Sequence, residues 1–497
     1  MLRFSPNTNR AHLIPWLEWE DEAFRRAQAE SKPVLLFLSA FWCGYCQRMD
    51  EQALSERENL ALLSAYFVPL RMENAKRPDV DARYNLNGWP TVVFLAPQGQ
   101  LLAAVNYLPA EEFKNLLLDV HLSYQQRQGE LSSAPDVSLE DAHLTAPDDN
   151  DRRLSAALDE ITAAILAQAD RQHGGYGRGQ KFIQADANEF LLGRYEATKD
   201  ATLLEHVCLT LDRMRQGDIH DRAAGGYFRT TTGADWSQPH REKLLAEQAG
   251  LLSNCLHLFR LTQRAEYGEM AREIVDYLDG KLFDPQTGGF FGCEDFLRRD
   301  PAARSSSGEF YSIVDECLYV DANATALCAY LDAAVILNHA ACATQALAAL
   351  EFIWAHCRGP DGNLCHYYDG AAHVSGWLID FTRLGMALLR AHEATGRQVY
   401  LERAKELAEF VLAHFTNPAG GYFDLVTAEP VFLKSRLTAV ESNGLVASFF
   451  LALAARTAGQ RYRDAARWAL GAFAQDLGAY GIHAAACGSA LNQFVNR

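Results

Sequence analysis

The chain has 497 residues and a formal charge of −17, with 49% hydrophobic and 22% charged residues. That length exceeds one ordinary core and points to two or more domains. The acidity repels phosphate backbones, so no nucleic-acid partner is expected. The longest apolar run, Gly444 to Ala455, falls short of the ~20 residues that a bilayer span needs, and no membrane partner is expected. Met1 to Arg10 is polar and has no apolar signal region, so export is not expected. The eleven cysteines are odd in number and scattered. That fits reduced thiols in a cytoplasm better than a disulfide framework.

The first ~125 residues alternate between helix and strand signals, the pattern of an α/β sandwich. Glu20 to Ser31 reads as a helix, Pro33 to Ser39 as a buried strand, Cys46 to Ala65 as a helix and Phe67 to Met72 as a strand. Thr91 to Ala96 and Leu101 to Val105 flank a Pro97-Gln98-Gly99 turn, and Ala110 to Gln128 is helical. Residues 1–128 are therefore assigned to one domain. The aperiodic stretch 129–150, rich in Ser, Asp and Pro, is assigned to a linker.

From 151 to 497 strand signals nearly vanish. Twelve helices are predicted, at about 152–169, 185–199, 201–215, 242–262, 264–281, 317–338, 343–357, 374–396, 398–414, 437–457, 460–475 and 483–495. A glycine-aromatic turn recurs between alternate helices, beginning at Gly174, Gly225, Gly288, Asp361, Gly420 and Gly478. Six such hairpins predict one all-α (α/α)6 toroid.

The strand Pro33 to Ser39 runs into Cys43-Gly44-Tyr45-Cys46, and a helix follows. A cysteine at a helix N-terminus gains thiolate stabilisation from free N–H groups and the helix dipole. Cys43 is thus the expected nucleophile, partly exposed. Cys46, one turn deeper, is the expected resolving thiol. No second CxxC exists to complete a zinc site. Gly88-Trp89-Pro90-Thr91 precedes the next strand. In thioredoxin-like folds a cis-proline there faces the dithiol, so Trp89 and Pro90 join the catalytic set. Thioredoxins carry a buried Asp six residues before the first Cys, and here that position is Phe37. A slower proton transfer from Cys46 follows.

These features resemble the thioredoxin-domain proteins related to spermatogenesis-associated protein twenty. The likeness runs from Trp16 to Phe24 through the dithiol, Lys76 to Asp81 and Gly88-Trp89-Pro90. It continues through Gly174 to Phe182, Asp218 to Arg229, Trp236 and Pro239 to Lys243. Glu247-Gln248, Asn323, Asp380 and Ser442-Asn443 fall where that family has similar polar residues. The resemblance implies a thioredoxin-like domain followed by a six-hairpin-glycosidase-like barrel. The family motif places histidines beside both cysteines. Here it reads Cys43-Gly44-Tyr45-Cys46-Gln47, which removes a metal-binding option and suits an oxidoreductase.

Barrels of this class include glycosidases, sugar epimerases and isomerases. Their chemistry uses carboxylates as acid and base, or histidines beside a sugar carbonyl. His240, Glu242, Glu247, Asp295, Asn323, Asp380, Glu441 and Asn443 are the candidate substrate-binding residues, because each lies near a helix start at a common mouth. The competing role for such residues is helix capping or surface pairing. His356, Cys357, Cys365 and His366 lack metal-ligand spacing and are expected to pack a hairpin turn. No metal or other cofactor is expected.

Three functions remain open. The first is a thiol–disulfide oxidoreductase, with a client protein or small-molecule disulfide as partner and a barrel that binds substrate or partner. The second is a carbohydrate-active enzyme of epimerase or isomerase type with an accessory thioredoxin-like domain. The third is a non-enzymatic protein-binding scaffold.

Overall fold

The computed structural model describes residues 2–133, 151–298, 310–427 and 436–496. They divide into two compact units, one drawn from residues 2–133 and the other from residue 151 onward. Among the described residues no helix is long and apolar enough to cross a membrane.

The N-terminal unit contains α1 (Asp21–Glu30), β1 (Val34–Ser39), α2 (Gly44–Glu51), α3 (Arg57–Tyr66), β2 (Val68–Glu73), α4 (Pro78–Tyr84), β3 (Thr91–Leu95), β4 (Leu101–Val105) and α5 (Ala110–Ser133). The sheet order is β2-β1-β3-β4, with β1 and β2 parallel and the other pairs antiparallel. β1 is buried throughout, so its apolar run carries no alternation. The single helix expected from Cys46 to Ala65 is two. The Ser55 hydroxyl donates to the Asp50 carbonyl at 2.6 Å, capturing an acceptor at the end of α2, and α3 restarts two residues later. α4 was not expected; it begins at Pro78, a residue pre-shaped for a first helical turn. α5 runs over the start of the stretch assigned to a linker, and 134–150 lie outside the described residues.

Among the described residues the second unit has twelve α-helices where twelve were expected: α6 (Asp151–Gln168), α7 (Ala185–Thr198), α8 (Ala201–Gln216), α9 (Leu245–Thr262), α10 (Ala265–Tyr277), α11 (Val320–Ile336), α12 (Ala340–His356), α13 (Leu378–Thr395), α14 (Gln398–His414), α15 (Val440–Thr457), α16 (Gln460–Gly471) and α17 (Ala485–Val495). The odd-numbered helices α7 to α17 pack side by side, and α17 returns against α7, which closes an inner ring. The even-numbered helices pack outside it, α6 against α17. The first and last helices therefore complete one hairpin between them. The inner ring is tight. A Cβ added at Gly444 on α15 would lie 2.3 Å from the Cys487 nitrogen on α17, so only glycine allows that approach.

Five glycine-bearing turns share one construction. Each is closed by an isolated β-bridge: Ala169 with Tyr176, His220 with Tyr227, Phe283 with Phe290, Arg358 with Leu364 and Thr416 with Tyr422. The sixth expected turn, at Gly478, instead lies in a 3-10 segment, Leu477–Ala484. Strand signals were under-read. Short strands precede several inner helices, and Cys293–Arg298 pairs with Phe310–Asp315 as an antiparallel hairpin. α9, α11, α13 and α15 start about three residues later than the periodicity suggests, and in α9 and α11 a short strand directly precedes the start.

An amide at the fourth position of an inner helix fixes three of the turns. Asn443 accepts from the Tyr422 N–H at 2.8 Å and donates to the Tyr422 carbonyl at 3.0 Å. Gln248 does the same for Tyr227, and Asn323 for Phe290. All three amides are fully buried. Asn443→Ala should therefore strand both backbone groups of Tyr422 in a dry site. We expect a loss of about 1–3 kcal/mol, read from chemical denaturation followed by tryptophan fluorescence. An unchanged midpoint would show that the turn is held by other contacts.

Candidate functional site

The dithiol is built from the backbone outward. Cys43 caps the N-terminus of α2, and its Sγ accepts from the Cys46 N–H at 3.0 Å. Cys43 and Cys46 form a disulfide, with Cα atoms 5.2 Å apart. The Trp89–Pro90 bond is cis. Its loop is held by Trp89 Nε1 donating to Asp81 at 2.9 Å, and by the Asn106 amide donating to the Gly88 and Pro90 carbonyls. Trp42, next to Cys43, meets Trp89 edge-on at 5.2 Å, so the two loops are neighbours. One expectation is corrected. Cys43 is not partly exposed: at 5% it is nearly as buried as Cys46 at 3%. Bonding draws its sulfur inward to Cys46, while Tyr45 between them projects to solvent.

Phe37, where thioredoxins carry an acid, is fully buried. Its ring lies 4.7 Å from the Arg71 guanidinium, which forms a buried two-pronged pair with Asp50 at 2.7 and 2.8 Å. Asp50 follows Cys46 by one helical turn. Burial pushes its carboxyl up, and Arg71 opposes that. Cys46, Asp50, Arg71 and Glu73 line a common cavity of about 20 Å³, room for about one water.

The barrel holds an axial cavity of about 470 Å³ lined by all six inner helices. Its lining includes Asp186 and Arg383, whose charged groups are 3.8 Å apart. Near the C-terminal ends of the inner helices, charges satisfy one another. His257 sits between Glu189 and Glu196 at 2.7 and 3.2 Å, and Arg390 faces Asp332 at 3.7 Å. The carboxylates at the helix starts are less neutralised. Burial pushes Glu247 up to about 7, with Asp186 adding to the rise and Arg229 opposing it. Glu441 is raised by burial and by the same Asp186, against Arg383 and His483. Glu247 and Glu441 do not line the cavity, but each feels the charge of Asp186, which does line it beside Arg383.

The other expected substrate-binding residues lie elsewhere. His240 is exposed on the strand Pro239–His240. Glu242 is buried in an ion pair with Arg229 at 2.8 Å. Asp295 is buried on the strand Cys293–Arg298 and accepts from the Phe296 N–H. Asn323 and Asn443 spend their amides on the turns described above and are part of the wall. Asp380 is fully buried against His366, 3.0 Å away, and does not line the cavity. Of the cluster His356, Cys357, Cys365 and His366, only His366 meets a carboxylate; His356 faces the Phe352 carbonyl. Asp186, Arg383, Asp321 and His366 were missed as site residues. The one available signal was an acid in the first turn of each inner helix from α7 to α15.

Residues 7–141 match the Thioredox_DsbH family model, described as a protein of unknown function, DUF255. The N-terminal domain is of the DsbH thioredoxin type. The chain is 28% identical over 305 residues to human spermatogenesis-associated protein 20, a match covering 57% of this chain and 39% of that protein. The DsbH-type domain is also similar to the disulfide bond reductase DsbH of Chlamydia pneumoniae, with 28% identity over 107 residues, 19% of this chain and 64% of that protein. The family resemblance read from the sequence therefore holds. Among solved structures, cellobiose 2-epimerase from Bacillus thermoamylovorans aligns with a TM-score of 0.53 at 12% identity, over 64% of this chain and 86% of its own. That likeness establishes the barrel fold.

The raised Glu247 gives a signed pH effect. Its folded value, about 7, lies above the 4.5 of an unperturbed glutamate. The folded state therefore binds the proton more tightly, and stability falls as pH rises from 4.5 through 7. Glu247→Gln should remove this loss. Its thermal midpoint should exceed the wild type's above pH 7 and match it below 4.5. A difference that does not change with pH would show that folding leaves the Glu247 carboxyl unshifted.

Proposed function

We propose that the DsbH-type domain is a thiol–disulfide oxidoreductase acting as a disulfide reductase. The observation that carries this reading is the Cys43 sulfur at the start of α2, accepting the Cys46 N–H at 3.0 Å. The same contact in the reduced protein would favour a Cys43 thiolate. Cys43 attacks one sulfur of a client disulfide, forming a mixed disulfide and releasing the other sulfur as a thiolate. Cys46 gives up its proton and attacks the Cys43 sulfur. The Cys43–Cys46 disulfide forms, and the client leaves with two thiols. The observed bond is the oxidised product of that cycle, and a dithiol reductant must reset it. With Phe37 in place of an acid, the proton of Cys46 has Asp50 and Glu73 within its own cavity as acceptors. The other nine cysteines form no disulfide among the described residues, which favours a reducing compartment, the cytoplasm.

A second reading rests on the barrel mouth. A glutamate with its proton held near neutrality beside ionisable Asp186 and Glu441 is the pairing that acid–base work on a sugar requires. Interconversion or cleavage of a disaccharide, lost in Glu247→Gln, would support it. No turnover across gluco- and manno-configured disaccharides would remove it.

For the dithiol, the purified full chain should reduce insulin with dithiothreitol as the recycling reductant. Cys43→Ser should abolish turnover. Cys46→Ser should accumulate a mixed disulfide visible by mass spectrometry, because the attacking thiol remains and the resolving one is gone. Equal turnover by wild type and Cys43→Ser would end the reductase reading and favour a binding scaffold.

A further inference from the structure

One cluster of ionisable side chains belongs neither to the dithiol nor to the carboxylates of the cavity mouth. Asp321 is the second residue of α11, and Asp380 the third of the adjacent inner helix α13. His366 lies on the strand Cys365–Tyr368. That strand pairs with Leu318–Tyr319, the lead into α11. The short ladder carries the imidazole to both helix starts. His366 Nδ1 is 3.0 and 3.1 Å from the two Asp380 carboxylate oxygens. One ligand atom from each of the three residues lies within 4.8 Å of the others. Trp377 stands edge-on to the His366 ring at 4.9 Å and limits its rotation.

The charges in this cluster do not balance. Two carboxylates face one imidazole, with Asp380 fully buried and His366 2% exposed. An anionic group held out of water next to a second one calls for a cation. The donor set is one imidazole nitrogen and two carboxylates, which suits a borderline divalent ion. The spacing fits as well. Two donors about 2.1 Å from one ion stand about 3.0 Å apart at the right angle of octahedral coordination and about 3.4 Å apart at the tetrahedral angle, so the 3.0 Å between His366 and Asp380 suits the first and opens slightly for the second. Asp321 is only half-buried, so one side of the site is open to a water or an oxygen of a small molecule.

We propose that Asp321, His366 and Asp380 form a divalent metal site, taking Zn2+ or Mn2+, at the start of α11 and α13. Uptake displaces the proton shared between His366 and Asp380, so affinity rises with pH. The open side leaves the ion able to orient a hydroxyl or carboxylate.

The test uses the full chain with its dithiol kept oxidised, treated with a chelator and then titrated with Zn2+ by calorimetry and with Co2+ by absorption. The expected result is one equivalent bound, with proton release. Cobalt should give weak visible bands and no strong near-ultraviolet thiolate-to-metal band. His366→Ala should abolish binding. Asp321→Asn, at a half-buried position that the fold tolerates more readily, should weaken it by more than about tenfold. No stoichiometric binding, a thiolate charge-transfer band, or affinity unmoved in Asp321→Asn would each overturn the site and leave His366 and Asp380 as a structural pair.

Discussion

The buried amide at the fourth position of an inner helix is the interaction from which the barrel's arrangement follows. It exchanges two hydrogen bonds with the backbone of one aromatic residue and so sets the rotation of the helix against the preceding loop. Once the fourth residue faces the loop, the second and third turn toward the axis or the adjoining helix start, because successive side chains lie about 100° apart. That phase sets Glu247 on α9 and Glu441 on α15 within electrostatic reach of Asp186. Three inner helices depart from this: α7, whose Asn188 accepts from the Tyr176 hydroxyl, α17, whose fourth residue is Gly488, and α13. The fourth residue of α13 is Phe381, and its preceding turn ends in Leu364 with no aromatic to hold. There the tie between loop and helix is ionic, Asp380 to His366. A repeat that exchanges an amide for a charged pair accepts a desolvation cost, and such local departures gather where a site is built.

Local patterns made the dithiol and the helices legible. A cysteine pair after a buried strand, with Trp89-Pro90 downstream, places the thioredoxin-like core without any long-range information. Periodicity located all twelve barrel helices, because each buries one stripe against a neighbour. At α9 and α11 it missed the two-residue strands Lys243–Leu244 and Leu318–Tyr319 that stand just before the helix start. The site residues were harder to read for a different reason. An acid in the first turn of a helix is favoured by the helix dipole whether or not it has a function. Asp186, Asp321 and Glu247 therefore look alike in sequence, and only their neighbours separate them. Asn323 and Asn443 looked like pocket residues because they are polar in apolar helices. Nothing local reveals that both amides are consumed by backbone 33 and 21 residues away. His366 was set beside the wrong partners, since its cysteine neighbours in sequence are not those it meets in space.

The same problem of a buried carboxyl is met twice, with opposite outcomes. In the DsbH-type domain the acid has left the strand: Phe37 occupies that position, and Asp50 on α2 is the buried carboxyl near Cys46. Asp50 is gripped by Arg71 through two short hydrogen bonds, while Phe37 and Phe4 cover the guanidinium. The cation that makes the carboxylate tolerable in a dry site also makes it a weaker base. On the reductase reading proposed above, a proton leaving Cys46 would meet an acceptor already engaged by Arg71.

At the barrel mouth no cation grips Glu247 in that way. Arg229 is already committed to Glu242, and Arg383 lies beside Asp186. The helix dipole favours the ionised form, whereas desolvation and Asp186 favour the neutral one. For Glu247 the second pair prevails, and its carboxyl stays near the neutral range. A protonated acid and ionisable carboxylates can then lie within reach of one another's charge, with Asp186 acting on both glutamates. That division follows from unequal access to two arginines, so the residues that set the chemistry of the mouth are the cations, and a change at Arg383 acts on Glu441 through charge rather than through shape.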